Sequence, residues 1–311
     1  MNEFELIQQL LPGLPTGPSV VVGAGDDCAV VDAGIPGQRL LFKTDAVVEG
    51  IHFTKETDPH RVGRKALARC LSDIAAMGGT PLAAVVTLAL PGSYSPETVC
   101  RIYDGLGALA AQHQVAIVGG ETTTNPDRLL LSVALIGLVP AGKELRRSGA
   151  RVGDALFVTG DLGGSLQGKH LDFEPRLAEA RWLRDRFHIH AMIDLSDGLA
   201  GDVRHLMRAS GVGVELLAEA IPVSRAARLA AATPGGKTPL LAALTEGEDF
   251  ELLFAVPAAE AVTLKDAWKE AFPKTRISCI GKCIEPVVLR MREHGRMRQL
   301  HEEGYTHFKV P

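Results

Sequence analysis

Six short segments place carboxylates beside apolar runs: Gly25-Asp26-Asp27, Thr44-Asp45, Ser72-Asp73, Gly120-Glu121-Thr122, Asp194-Leu195-Ser196-Asp197 and Glu246-Gly247-Glu248-Asp249. Acids that only keep a protein soluble sit on polar helix faces. Acids at the ends of buried strands, flanked by glycine or small hydroxyl residues, stand where sites are built. If these carboxylates converge, they need cations, because two unit charges roughly 4 Å apart repel by about 4 kcal/mol at an effective dielectric of about 20. Carboxylates with Ser and Thr hydroxyls are hard oxygen ligands, which select Mg2+, Ca2+ or Mn2+ over zinc. Several Mg2+ ions together usually accompany phosphate ligands.

Each segment also has a plainer reading. Gly-Asp pairs form turns, and Ser196 or Asp197 could simply cap a following helix. Asp73 sits late in a helix, where the dipole disfavours a carboxylate unless a cation compensates; Lys65 and Arg69 are the expected partners. Other chemistries find little support. The run Gly163-Gly164-Ser165-Leu166-Gln167-Gly168-Lys169-His170 nearly spells a nucleotide-binding loop, but His170 replaces the Ser or Thr that would hold Mg2+. Thr159 to Gly164 reads as a tight turn whose amides approach an anion. Gly23-Ala24-Gly25 opens no helix, so a dinucleotide fingerprint is absent. Cys279 and Cys283 have no matching second pair, and Cys28, Cys70 and Cys100 lie in apolar patterns, so buried structural cysteines are expected rather than a zinc site or a catalytic thiol.

The elements that must hold these groups follow from periodicity. Phe4, Ile7, Leu10 and Leu11 make a short amphipathic helix ended by Pro12 and Gly13. Strands are expected at Ala29 to Val31, Leu40 to Phe42, Ala83 to Leu90, Val115 to Val118 and Leu129 to Val139. One helix places Val62, Ala66, Leu67, Cys70, Ile74 and Met77 on a single face; another starts at Ser95-Pro96 and buries Val99, Ile102, Tyr103, Leu106 and Leu109. From Val139 to Ala150 the chain turns polar, which marks a linker between domains at 1–140 and 146–311. Beyond it, strands are expected at Ala155 to Val158, Ala191 to Ile193 and Leu252 to Val256, with a helical stripe of Leu199, Val203, Leu206 and Met207 stopped by Gly211. Both halves are therefore α/β.

Composition agrees with two globular domains: 311 residues, 46% hydrophobic and 23% charged. The 33 Lys and Arg against 37 Asp and Glu give a net charge of −4 with no basic run, which argues against a nucleic-acid partner. No apolar stretch approaches the roughly 18 residues of a membrane span. The acidic Met1-Asn2-Glu3-Phe4 start lacks the pattern of a signal peptide, and five cysteines are too few and too odd for a disulfide framework, so a cytoplasmic location is expected.

The motifs together resemble the thiamine-monophosphate kinases, relatives of aminoimidazole ribonucleotide synthetase. The resemblance runs in order through Gly25-Asp26-Asp27-Cys28-Ala29, Thr44-Asp45, Glu49-Gly50-Ile51-His52-Phe53, Lys65-Ala66-Leu67, Leu71-Ser72-Asp73-Ile74-Ala75-Ala76-Met77-Gly78 and Gly119-Gly120-Glu121-Thr122. It continues through Arg147-Ser148-Gly149-Ala150, Gly153-Asp154, Thr159-Gly160, Ile193 to Leu199, Gly247 to Leu252 and Gly304-Tyr305-Thr306-His307-Phe308. It implies ATP-dependent phosphorylation of thiamine monophosphate to thiamine diphosphate. It also implies a two-domain aminoimidazole ribonucleotide synthetase-like α/β fold, a homodimer formed through the N-terminal sheet, and nucleotide held between the domains.

By that resemblance Asp27, Thr44, Asp45, Asp73, Glu121, Asp194 and Asp197 would ligate several Mg2+ ions, with a monovalent cation left open. Gly120, Glu121, Arg147, Ser196 and Tyr103 would contact ATP, and His52, Glu248 and Tyr305 would bind thiamine monophosphate. Asp45, Asp197 and Arg147 are the expected catalytic groups, with Arg146 an alternative to Arg147. Two positions depart from the family pattern: Glu121 stands where Asp is common, and Lys43 where a small hydroxyl residue is common, so its ammonium is expected to replace one metal or water. Rival readings are another ATP-dependent synthetase of the superfamily and a non-catalytic cation-binding module. The first, as a selenophosphate synthetase, lacks a reactive cysteine in a glycine-rich setting. The second predicts a single ligand loop, whereas these acids are spread over both halves.

Overall fold

Alternation along the strands of the first half turns one sheet face toward helices and leaves the other open. In the computed structural model, which describes residues 3–306, six strands form a sheet in the order β1-β2-β3-β6-β4-β5. They are β1 (Val20–Val22), β2 (Ala29–Val31), β3 (Gln38–Val48), β4 (Thr80–Leu90), β5 (Ala116–Thr124) and β6 (Leu130–Pro140). Met1, Asn2, the Phe4 side chain and residues 307–311, including His307 and Phe308 of the last motif, lie outside the described residues. Leu41, Val47, Val86, Leu88, Val133 and Leu135 are buried on the inner face. α2 (Pro59–Ala76) and α3 (Pro96–Gln112) cover that face, and α1 (Glu3–Leu10) precedes the sheet.

The second sheet has seven strands in the order β13-β12-β9-β11-β7-β10-β8. These are β7 (Ala155–Thr159), β8 (Ala191–Asp194), β9 (Gly213–Leu217), β10 (Leu252–Val256), β11 (Ile277–Ile284), β12 (Leu289–Glu293) and β13 (Arg296–Gln299). Its helices are α4 (Lys169–Asp172), α5 (Leu177–Arg186), α6 (Leu199–Ser210), α7 (Arg225–Ala230), α8 (Pro239–Thr245) and α9 (Ala261–Ala271). β7, β8 and β10 are buried along their whole length, which is why they read as unbroken apolar runs. β9 and the β11 to β13 ribbon went unanticipated because Glu215, Lys282 and the arginines of β12 and β13 interrupt any apolar run.

α2 lies between the two halves. Asp58 caps its first turn by accepting the His60 N–H, and Pro59 opens it. It touches β3, β4 and β6 on one side and α4, α5 and β8 on the other, so most of it is buried. The expected apolar face, Val62 to Met77, is therefore one of two buried faces. α3 starts at the expected Ser95 cap and buries Ile102, Leu106 and Leu109, but Tyr103 points outward and is exposed. α2 and α3 cross through a glycine pair: a Cβ on Gly63 would lie 1.8 Å from the Ile102 carbonyl oxygen, and one on Gly105 would lie 1.8 Å from that of His60. Of the cysteines, Cys28, Cys70 and Cys283 are buried as expected, whereas Cys100 and Cys279 are exposed because their positions fall on outward-facing sides of α3 and β11.

Overpacking this crossing should be costly. Gly63→Ala is expected to lower unfolding free energy by about 3 kcal/mol. Gly107→Ala, on α3 with nothing within 4 Å of an added Cβ, should instead stabilise slightly. Urea unfolding of both variants checks the opposite signs.

Candidate active site

On the inner face of β3, Lys43 and Asp45 sit between the buried Leu41 and Val47. Facing them, α2 presents Lys65, Arg69, Ser72 and Asp73, spaced so that all fall on one side of a helix. Their pairings differ from expectation. Asp73 is met by Lys43, with Nζ 3.1 Å from Oδ1, rather than by Lys65 or Arg69. Arg69 donates two hydrogen bonds of 3.1 Å to Asp45, and Lys65 turns to Glu248 at 2.7 Å. Lys43 thus places its ammonium among the acids, as its departure from the family pattern suggested. Burial works against its charge, but Asp73 and Asp45 overcome that and raise its pKa.

The second half supplies the opposite wall. β8 and β10 pair up to Asp194 and Leu252, then continue as two irregular segments that still hold each other: Leu195 N–H donates to Glu251 O, Phe250 N–H to Leu195 O, and Glu248 N–H to Ser196 O. This brings Asp194, Ser196, Asp197 and Glu248 to the cleft. Ser196 and Asp197 do not cap α6, whose first position is the positive-φ Gly198 without a side-chain cap. Tyr305 is anchored by its N–H to Asp197 O and stands half-exposed at the mouth. Between the halves, Arg147 donates to Asp27 from both Nε and Nη2, while Arg146 turns away to Glu144. Of the two arginines, Arg147 faces the cleft.

These walls enclose a cleft of about 270 Å³ lined by Asp45, His52, Asp73, Arg147, Asp194, Ser196, Asp197, Glu248 and Tyr305 together with Lys43, Arg69 and Glu3. His52 Nδ1 accepts the Val48 N–H at 3.0 Å, which leaves Nε2 as the donor in the neutral ring. Burial pushes the Asp194 carboxyl up to about 6 and, with Glu3 and Asp194 beside it, that of Asp197 to about 7. Asp73 is raised by burial, with Lys43 opposing. Glu248 behaves differently: burial opposes ionisation, but His170, Lys65 and Arg69 hold it down to about 2.

Oxygens of Asp27, Asp73 and Asp194 lie within 4.8 Å of one another, and Asp27 Oδ2 is buried with no hydrogen-bond partner. A convergent all-oxygen set with an orphaned acceptor suits a hard divalent cation. A second group, Asp197, Asp202 and His205, meets the same distance limit. Asp202 and His205 were not singled out from the sequence, although the Asp-x-x-His spacing on one helix face is a signal that could have found them.

Four anticipated residues are not in this cleft. Thr44 follows Lys43 on a strand, so its side chain projects from the outer face, where its hydroxyl is 3.3 Å from Ser132 Oγ; it cannot share an ion with Asp45 through that hydroxyl within one chain. Gly120 and Glu121 lie within the exposed edge strand β5, which runs on past the expected end; Glu121 pairs with Thr87 and shares the outer face. Tyr103 is on the exposed side of α3. The turn at Gly160 to Gly164 also has a different occupant. The Gly163 amide donates to both Asp249 oxygens, at 3.1 and 2.9 Å, and the Gly164 amide to Glu246 at 2.7 Å, so the anions are the chain's own. Lys65, expected as a partner of Asp73, is wholly buried behind the cleft lining beside Glu248, and its pKa is drawn down by burial to about 8.

In sequence and fold the chain is similar to known proteins. Residues 25–139 match the family described as AIR synthase related protein, N-terminal domain, and residues 160–286 match its C-terminal domain. The thiamine-monophosphate kinase of Rhodopirellula baltica is 43% identical over 217 residues, 68% of each chain. That of Bacillus subtilis is 34% identical over 246 residues, 72% of this chain and 75% of the relative. A solved structure described as AaThiL complexed with AMPPCP and TMP superposes with a TM-score of 0.84 at 30% identity, covering 99% of this chain and 97% of the other. With 43% identity to one such kinase over 68% of the chain and a superposition on AaThiL that covers 99% of it, the chain belongs to the thiamine-monophosphate kinase family.

Proposed function

We propose that this chain transfers the terminal phosphoryl group of ATP to the phosphate of thiamine monophosphate, giving ADP and thiamine diphosphate. The observation that carries the reading is the cleft itself, where Asp27, Asp45, Asp73, Asp194 and Asp197 meet Arg147 and Lys43 between the two halves. The relatives' names supply the substrates, and the AMPPCP and TMP bound to AaThiL support the pairing.

Phosphoryl transfer asks a protein mainly for in-line positioning and charge balance. Arg147 is held rigidly by Asp27 and offers its guanidinium edge to a phosphate. Ser196 adds a hydroxyl. His52 donates from Nε2 to the acceptor phosphate, whose oxygen is already anionic and needs no general base. Glu248, kept ionised, faces the cationic heterocycle of thiamine monophosphate, and Tyr305 gives it an aromatic face. Asp27, Asp45, Asp73, Asp194 and Asp197 would hold Mg2+, which when bound would neutralise the phosphate oxygens of both substrates. We assign 1–140 to a dimerising domain, 146–311 to a substrate domain, and the location to the ATP-containing cytoplasm.

The homodimer is supported by the outer sheet face, where Phe42 is 50% exposed and Val118 on the adjoining edge is 66% exposed, with Leu82 and Val85 between. Thr44 and Glu121 share that side and Gly120 adjoins it, so the metal and ATP contacts assigned to these three would be made at the dimer rather than within one chain; Tyr103, on the exposed side of α3, is assigned to the adenine or ribose.

Incubation with ATP, Mg2+ and thiamine monophosphate should yield thiamine diphosphate by chromatography; none above the blank rules the reading out. Asp197→Asn and Asp45→Asn should each lower turnover at least ~100-fold with unchanged circular dichroism. Because carboxyls with raised pKa hold protons that a cation must displace, Mg2+ affinity should climb as pH rises through about 6 to 7, with proton release visible by calorimetry in buffers of different ionisation enthalpy. Sedimentation should show a dimer that Phe42→Glu converts to monomer.

A further inference from the structure

Lys65 lies at the middle of α2, with no exposed surface, and its ammonium has three partners at 2.7 Å: the His52 carbonyl oxygen, His170 Nδ1 and Glu248 Oε2. An ammonium carries three protons: the His52 carbonyl and Glu248 take two, and the third meets His170 Nδ1 when that nitrogen carries no proton, whereas a protonated Nδ1 would donate instead to Glu248 Oε2, 2.9 Å away. The partners come from three separate segments. His52 belongs to the turn after β3, His170 to α4 and Glu248 to the segment before β10, so Lys65 reaches from the first half of the chain into two segments of the second. Glu248 is also one of the few non-glycine residues in the left-handed region, at φ +64, and Phe250 follows at φ +50. Such a backbone persists only when its surroundings over-determine it. Arg69 does not duplicate the tie: it is committed to Asp45 in a two-point contact and stands 3.6 Å from the other Glu248 oxygen.

We propose that Lys65 is a positioning residue for the acceptor substrate: it fixes the Glu248 carboxylate and the His52 turn in one arrangement, joining the two halves of the chain across the thiamine-monophosphate side of the cleft. The inference rests on the function proposed above. Lys65 touches no substrate. Its effect passes through Glu248 and His52, so it should govern affinity for thiamine monophosphate and leave the nucleotide side, built on Arg147 and Ser196, unmoved.

Calorimetry on the full chain with Mg2+ separates these effects without requiring turnover. Lys65→Met keeps the stem and removes the charge; it should weaken thiamine monophosphate binding by at least ~10-fold, because a buried carboxylate loses its partner, while AMPPCP binding changes less than about twofold. On a Glu248→Gln background the same substitution should cost less than about threefold, since the group it positions has been neutralised. Equal weakening for both ligands, or full additivity with Glu248→Gln, overturns the proposal. If Lys65→Met does not fold, Lys65→Gln, which keeps a hydrogen-bond donor and removes the charge facing Glu248, reads the same tie: at least about threefold weaker thiamine monophosphate binding that disappears with Glu248→Gln supports it, and no effect overturns it. Absence of thiamine monophosphate binding by the unsubstituted protein removes the function and this inference together, whereas binding unaffected by Lys65→Met removes this inference alone.

Discussion

Buried negative charge is what the structure has to accommodate. Asp27, Asp73, Asp194, Asp202 and Glu248 crowd one region, and an unpaired carboxylate away from water is expensive. The chain meets this in two ways. Asp27, Asp45, Asp73 and Glu248 each have a cation from Arg147, Arg69, Lys43 and Lys65. Asp194, Asp197 and Asp202 have no such ion pair among the described residues, and burial raises their pKa values instead. The two means overlap at Asp73, which has Lys43 beside it and still a raised pKa, and the cluster suited to a divalent cation, Asp27, Asp73 and Asp194, draws on both groups.

α2 makes much of the pairing possible. A helix buried on both sides would ordinarily be apolar all round. This one carries Lys65, Arg69, Ser72 and Asp73 as a polar stripe between two apolar flanks; Arg69 and Asp73 line the cleft, while Lys65 and Ser72 hold Glu248 and Asp194, which also line it. The glycine crossing with α3 brings the helix backbones into contact, which fixes the height of the stripe above β3. Side chains on α2 therefore reach Asp45 on one side, through Arg69 at 3.1 Å, and Glu248 on the other, through Lys65 at 2.7 Å.

The same stripe explains what could be read from sequence. The strands that are buried on both faces were legible because burial makes them uninterrupted. α2 was legible as a helix carrying a site acid near its end, but pairing by proximity along the helix suggested Lys65 or Arg69 for Asp73. Nothing local says that Lys43, on a strand, is the partner. Likewise Thr44-Asp45 reads as one motif, although consecutive strand residues point to opposite faces. Glu246, Glu248 and Asp249 read as one acidic cluster, yet only Glu248 turns to the cleft, because its left-handed backbone reverses the direction its neighbours take. Motif order was enough to bring the right segments together; side-chain direction needed the tertiary structure.

That reversal ties recognition to assembly. The segment from Gly247 to Phe250 is held from below by Ser196 and Leu195 carbonyls, from the side by the Gly163 amide on Asp249, and by the stacking of Phe250 on Phe173, with ring centres 4.0 Å apart. All of these contacts lie within the second half of the chain. They set the backbone but leave the Glu248 carboxylate free to rotate about its side-chain torsions, which together cost about 1.5 to 2 kcal/mol of entropy when fixed. The contacts that remove this freedom come mainly from the first half. A cleft whose backbone is shaped by one domain and whose charge is aimed by the other is complete only when both are docked, so the acceptor pocket and the domain interface form as one structure.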